Sequence, residues 1–430
     1  MNTREIVLEI LLALEKGDEY SHLLIRAVLD KYDFLDSRDK AFIKRLTEGT
    51  IERRITLDYI LNQFSKISVS KMKPFIRCLL RMSVYQILYM EQTADFAVCN
   101  EAVKLAGKRG FHNLKGFVNG VLRTIIRERE SINMPESLSI RYSMPEWIVE
   151  LFEKEQGEER TKRILEEMLC AHPVTVRARD MEWTPDVSLS AKRHPYLPYA
   201  WNLWNTDNLM KLPDFANGRL IAQDVSSMLV GEIAGFAGNE KVLDICAAPG
   251  GKSMHAADLV KDGCVEARDV SDYKTSLICE NAKRLDQRNI VTKTWDATIL
   301  DPDAIGKFDV VLADVPCSGL GVMGRKRDIK YRVTPQSLQE LTILQRRIMD
   351  TAWQYVKPGG TMIYSTCTIH RAENEEMVEY LTSEYPFVTE SLDDYLPVCL
   401  RSDTTGKGYL QLLPGIHECD GFFIARLKRV

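Results

Sequence analysis

The chain has 430 residues, more than one ordinary domain holds, so two or three domains are expected. Apolar residues are 45% and charged residues 27%, ordinary for a globular protein, and no run of 18 apolar residues reads as a membrane span. The net charge of -4 argues against a nucleic-acid partner, but residues 1–130 carry 22 Lys and Arg against 17 Asp and Glu, so a local basic face stays open.

Ten cysteines are scattered with no C-x-x-C pair, and there are only seven histidines, so no metal site is expected. Reduced thiols in a cytoplasmic protein fit this usage, most of them as small core residues. The early acids Glu5 and Glu9 do not suit a secretory signal.

In chain order, Ile6, Leu8, Ile10, Leu11 and Leu14 recur at helical spacing. Ser21 opens a second helical pattern, and 39–51 and 56–64 give two more. Pro74 starts a strongly apolar segment, Phe75 to Tyr89, whose missing polar face predicts a central, buried helix. Residues 95–107 and 114–130 complete an all-α domain over 1–135. Lys104, Lys108, Arg109, Lys115 and Arg123 crowd its last third, as a solvated face or an RNA-binding one.

Prolines punctuate residues 136–215, which read as a small α+β connector. Helices are predicted through Trp147 to Phe152 and over 158–170, and a strand over 173–179. The stretch 195–201 reads as irregular.

Residues 216–430 turn to an α/β pattern. Strands are predicted at 242–245, 264–268, 290–294, 309–313, 361–365, 409–412 and 422–427, with helices near 225–234, 253–260, 273–285, 338–356 and 373–383. Pro358-Gly-Gly360 reads as a turn that stops the long helix and opens the next strand. A doubly covered parallel sheet follows, with ligands at the carboxyl ends of its strands and an antiparallel hairpin at its edge.

The first of these strands leads into Ala247-Ala-Pro-Gly-Gly251, a turn of small residues that lets a ligand approach the backbone, with a helix start behind it. It is neither a dinucleotide fingerprint nor a P-loop. Asp244, Asp269, Asp296 and Asp314 each fall near the end of a predicted strand. Asp269 lies about twenty residues past the turn, where a carboxylate suits ribose hydroxyls. Together the four point to a nucleoside-type ligand. Cys317 and Cys367 each lie just beyond a buried strand at that edge, where a thiolate of lowered pKa is a nucleophile.

Asp244-Ile-Cys-Ala-Ala-Pro-Gly-Gly-Lys252, Asp314-Val-Pro-Cys-Ser-Gly319 and Ser365-Thr-Cys367 resemble the motifs of S-adenosylmethionine-dependent RNA 5-methylcytosine methyltransferases. Leu114-Lys-Gly-Phe-Val-Asn-Gly-Val-Leu-Arg123 resembles the NusB-like domain fused to the branch that acts on 16S ribosomal RNA. The resemblance implies a NusB-like RNA-binding domain (1–135), the connector (136–215) and a Rossmann-like methyltransferase domain (216–430). It implies that Cys246, Ala247, Ala248, Pro249, Gly250, Gly251 and Lys252 wrap the methionine part of the cofactor. Asp269 would hold the ribose, Asp296 would lie beside the adenine, and Asp314 would sit near the transfer site. It further implies Cys367 as the nucleophile on cytosine C6, Cys317 as assisting product release, and Lys252 as orienting Asp314 or the substrate. The implied partner is 16S ribosomal RNA, free or in an early assembly intermediate, with no membrane and no obligate protein partner. Transfer RNA, another ribosomal site, or a non-catalytic assembly role are the alternatives. The basic segment Gly324–Arg332 is expected to contact RNA phosphates. Lys326 and Arg327 stand where the family usually has His-Pro, and Arg268 stands where an apolar residue is usual.

Overall fold

The apolar stripes of the front third close on one another because no amphipathic helix can bury its face alone. The computed structural model describes residues 2–17, 19–187, 189–204, 206 and 209–430. Its first unit, Met1–Leu169 with Met323–Arg332, contains α1 (Thr3–Leu14), α2 (Ser21–Lys31), α3 (Ser37–Glu52), α4 (Arg54–Phe64), α5 (Pro74–Tyr89), α6 (Asp95–Lys108), α7 (Lys115–Arg127), α8 (Leu138–Arg141), α9 (Glu146–Gln156) and α10 (Glu158–Glu167).

Helix α5 is the centre, with twelve of its sixteen residues buried, so its polar members need internal partners. Ser83 Oγ donates to Leu79 O at 2.7 Å, and Gln86 donates to Met82 O while accepting from Arg4. Arg81 makes a two-pronged pair with Asp58, both bonds 2.6 Å, and a third bond to Glu15 at 2.8 Å. The expected basic group is partly internal to the unit: Lys108 and Arg109 pair with Glu5, and Arg109 also with Glu9.

Segment Gly324–Arg332, the basic stretch for which RNA contacts are expected, packs within this helical unit. Asp328 accepts from Ser21 N and Oγ, Arg327 pairs with Glu52 at 2.9 Å, and Lys330 donates to Glu52 O at 2.8 Å. Tyr331 lies under Arg54, 4.0 Å from ring centre to guanidinium. Ile329 and Lys330 are buried, so part of this local charge is absorbed by tertiary partners. Arg325 and Lys326 stay exposed. The departure Arg327 is thereby explained by the acids it meets.

The second unit, Cys170–Val322 with Val333–Val430, begins with β1 (Val174–Ala178), β2 (Ser190–Arg193), β3 (Ala200–Trp204), α11 (Pro213–Ala216) and β4 (Leu220–Ala222). These strands form an antiparallel sheet in the order β2-β3-β1-β4. Residues 200 and 201, read as irregular, are part of β3 and pair with β1. The connector expected over 136–215 is thus divided: α8 to α10 lie in the first unit, and β1 to β3 with most of α11 lie in the second.

The main sheet is built from α12 (Val225–Ala234), β5 (Lys241–Asp244), α13 (Gly251–Leu259), β6 (Cys264–Asp269), α14 (Asp272–Arg284), β7 (Ile290–Thr294), β8 (Phe308–Asp314), α15 (Pro335–Ala352), β9 (Val356–Thr366), α16 (Glu375–Glu384), β10 (Phe387–Thr389), α17 (Asp403–Gly406), β11 (Tyr409–Leu412) and β12 (Phe422–Arg429). The strand order is β10-β12-β9-β8-β5-β6-β7, with β11 pairing β12. Strands β5 to β9 run parallel, and β12 enters antiparallel to β9. Pro358-Gly-Gly360 does not interrupt β9. The strand starts at Val356 and absorbs the irregularity as a register shift against β8, with Gly359 at φ +72°.

The small sheet is tied to α13: Arg177 and Arg179 both reach Asp258, at 2.8 and 2.7 Å. Of the ten cysteines, only Cys78 and Cys99 are buried, and Cys170, Cys264, Cys279 and Cys399 are exposed. The expectation that most are core is therefore corrected; Cys264, for example, is the first, exposed residue of β6. No helix among the described residues is long and apolar enough to cross a membrane.

Candidate active site at the carboxyl edge of the sheet

The chain winds one way from β5 through β6 to β7, then returns to place β8 on the other flank of β5. The crevice between the carboxyl ends of β5 and β8 is the topological switch point, where open α/β sheets take ligands. Asp244, Asp269 and Asp314 are the last residues of β5, β6 and β8, and Cys367 directly follows β9.

The glycine turn lies at this edge. Ala247 N donates to Arg268 O at 2.8 Å, the Ala248–Pro249 peptide is cis, and Gly250 sits at φ +105°, a left-handed value that favours glycine. Helix α13 starts at Gly251 without a side-chain cap, so its first amides are not closed off by a local side chain. Asp269 accepts from Ala248 N at 2.9 Å and from Lys274 at 3.0 Å, which links the turn to the end of β6. Cys246 is held as a neutral thiol: burial pushes it well up, helped by Asp269, Asp244 and Asp314. The hydrogen bonds of Asp296 are local, from Thr298 N and Oγ1, and they hold its carboxyl below the usual range.

Asp244 is fully buried. Ser253 Oγ donates to its Oδ2 at 2.6 Å, while Oδ1 has no hydrogen-bond partner among the described residues. Burial pushes this carboxyl up to about 7, against the pull of Ser253. A buried carboxylate oxygen left open beside a turn of small residues suits a ligand that brings positive charge, as S-adenosylmethionine does through its ammonium and sulfonium groups.

Beyond the turn, Lys252 Nζ donates to Asp314 Oδ2 at 2.7 Å, and Ser365 Oγ donates to Asp314 Oδ1 at 2.9 Å. Lys252 also lies 5.1 Å from the centre of the Phe422 ring. Burial alone would lower the Lys252 ammonium, but Asp314 holds it above its usual range, and the charge acts on Cys367 as well. Cys317 Sγ and Cys367 Sγ are 3.3 Å apart. The Cys317 thiol is pushed well up by its hydrogen bond to Cys367, by burial, and by the charges of Glu373 and Asp314. One cysteine therefore lies near a cation and the other near anions.

Two glycines let the loops meet. Gly321 N donates to Cys367 O at 3.1 Å, and Gly421 N donates to Gly321 O at 2.9 Å. A Cβ on Gly321 would lie 2.1 Å from Gly421 O and 2.9 Å from Cys367 O.

Sequence reasoning passed over Ser365, Phe422, Gly321 and Gly421, and over Ser318, Gln345 and Glu373. Ser365 and Ser318 stand inside quoted motifs and were readable as neighbours. Glu373, in a run of exposed-looking acids, gave no such signal. The departure Arg268 is absorbed too: it is buried, paired with Glu266 at 2.5 Å and Asp301 at 3.0 Å, and faces the rings of Trp295 and Tyr355.

This fold and edge define a Rossmann-like methyltransferase unit preceded by an all-α, NusB-like one. Comparison with known proteins narrows the class. Residues 235–428 match the family described as 16S rRNA methyltransferase RsmB/F, and residues 1–127 match the NusB family. The chain is 36% identical to the probable ribosomal RNA small subunit methyltransferase B of Bacillus subtilis, over 100% of this chain and 99% of that one. It is 31% identical to the Synechocystis counterpart over the whole of both. Among solved structures, PH0851 superposes with a TM-score of 0.82 over 99% of each chain at 21% identity, and NSun6 of Pyrococcus horikoshii with 0.59 over 66% of this chain and 98% of its own at 21%. The chain belongs to the ribosomal RNA small subunit methyltransferase B family.

Proposed function

We propose that this enzyme methylates C5 of a specific cytosine in 16S ribosomal RNA, in the cytoplasm, through a covalent bond between Cys367 and C6 of the base. The observation that carries the reading is the cysteine pair, 3.3 Å apart, with the Lys252–Asp314 ion pair beside it.

Cytosine C5 is a poor nucleophile. Addition of the Cys367 thiolate to C6 moves electron density onto C5, and Lys252 favours that thiolate by its charge. Asp314, held by Lys252 and Ser365, faces the pyrimidine and hydrogen-bonds the ring as the addition proceeds. S-adenosylmethionine, when bound, supplies the sulfonium methyl group that C5 takes up. Residues 246–252 would cradle its methionine part, with Asp244 facing its positive charge, Asp269 on the ribose and Asp296 by the adenine. After transfer the C5 proton leaves to water, the bond from C6 to sulfur breaks, and its electron pair returns to Cys367. The Cys317 thiol assists by donating to that departing sulfur. The target base must leave its stack to reach this edge.

The test uses the full chain with a 16S RNA transcript and S-adenosylmethionine. Cys317→Ala is expected to accumulate a protein–RNA adduct that survives denaturing gels. The adduct is expected to vanish in the Cys317→Ala/Cys367→Ala double variant. Persistence of the adduct in the double variant overturns the assignment of the nucleophile.

A further inference from the structure

Glu373 has no exposed surface, yet its carboxylate pairs with no cation among the described residues. Burying a charge without a counter-ion is unfavourable, so its hydrogen bonds must hold it. Oε1 accepts from Ser318 Oγ at 2.5 Å. Oε2 accepts from Ser318 N at 3.0 Å and from Gln345 Nε2 at 2.8 Å. Gln345, also fully buried, donates to Pro316 O at 2.9 Å, while its own Oε1 has no partner among the described residues. Its amide is thus aimed by two acceptors. Pro316 and Ser318 are the residues on either side of Cys317, so the cysteine is held from both flanks.

The same cluster reaches the other cysteine. Ser318 Oγ and Thr368 Oγ1 are 2.7 Å apart; since Ser318 gives its proton to Glu373, Thr368 is the donor. Thr368 directly follows Cys367. Tyr364 OH, from β9, donates to Glu373 O at 2.6 Å. One buried carboxylate therefore connects the loops that carry the two thiols.

We propose that Glu373, acting through Ser318, Thr368 and Gln345, is a positioning residue that holds the Cys317 loop against the Cys367 loop for release of the methylated base. This rests on the proposed roles of the two cysteines. The position of the charge adds to the geometry. Glu373 faces Cys317 while Lys252 acts on Cys367, so Cys317 keeps its proton and serves as the donor to the departing sulfur. Two adjacent cysteines, alike in chemistry, are made unequal by what lies behind each.

The experiment compares the full-length wild type, Glu373→Gln, Ser318→Ala and Cys317→Ala on the 16S transcript. Cofactor affinity is measured by calorimetry, methyl transfer in a single turnover, and release by decay of the gel-stable adduct across pH. Glu373→Gln keeps the size but removes the charge and one acceptor. It is expected to leave cofactor affinity within about twofold and to slow release at least about tenfold, so that adduct accumulates as in Cys317→Ala. The alkaline limb of the release profile is expected to move to lower pH, because the charge that disfavours Cys317 ionisation is gone. A merely structural role would not move that limb. Release and pH profile equal to wild type overturn the inference, as does a parallel loss of cofactor binding and release. If Glu373→Gln does not fold, Ser318→Ala decides: adduct accumulation supports the linkage, and normal release refutes it. Absence of adduct in Cys317→Ala instead refutes the underlying chemistry, and the positioning role with it.

Discussion

Asp244→Asn probes the least comfortable group at the site. The wild-type carboxyl is pushed up by burial to about 7 from an ordinary value of 3.8. In the unfolded chain it ionises first, so from about pH 4 to 7 the native state binds more protons and stability falls as pH rises. Between pH 5 and 7 that is about two units, or about 2.7 kcal/mol at about 1.36 kcal/mol per unit. Asparagine keeps an acceptor for Ser253 and does not ionise. The variant is therefore expected to gain stability on wild type as pH goes from 5 to 8, by about 2–3 kcal/mol, or roughly 5–10 °C in Tm for a unit of this size. Denaturant and thermal melts of the cofactor-free full chain at pH 5, 6, 7 and 8 measure it. A stability difference that stays flat over that range would show Asp244 ionised throughout and refute the argument. With S-adenosylmethionine present the ranking is expected to reverse above pH 7, since the bound cation favours the ionised carboxylate.

Arg81→Met removes three charge-assisted bonds and leaves Asp58 and part of Glu15 without a counter-ion; both acids are partly exposed, so a loss of about 2–3 kcal/mol is expected, read from urea melts, and a change below about 0.5 kcal/mol would contradict the pairing. Gly321→Ala drives a Cβ into the backbone of Gly421 and Cys367, so methyl transfer is expected to fall at least about a hundredfold with cofactor affinity nearly unchanged; an unaffected single-turnover rate would show that the loop crossing is not needed.

Chain-local patterns carried most of the architecture. Helical spacing predicted α1 to α7, and the α/β pattern predicted β5 to β9, β11 and β12, because most of these elements bury one face or both along their own length. The edge strand β2 was missed, since Ser190–Arg193 is mostly polar and exposed and takes its conformation from pairing with β3. The acids and cysteines at strand ends were legible for the same local reason: a residue just past a buried run must lie at the sheet's edge.

By itself, then, the amino-acid order determined the two kinds of unit, the glycine turn and the strand-end residues Asp244, Asp269, Asp314 and Cys367. Only the tertiary structure decided what surrounds each charge. It buried Lys330 in the helical unit and gave Arg268 two acids and two rings. It also set Lys252 near one cysteine and Glu373 behind the other. Most of these partners, such as Asp301 for Arg268, Asp314 for Lys252 and Glu52 for Lys330, lie tens or hundreds of positions away, and a charge reads the same in sequence whether water or a buried serine meets it.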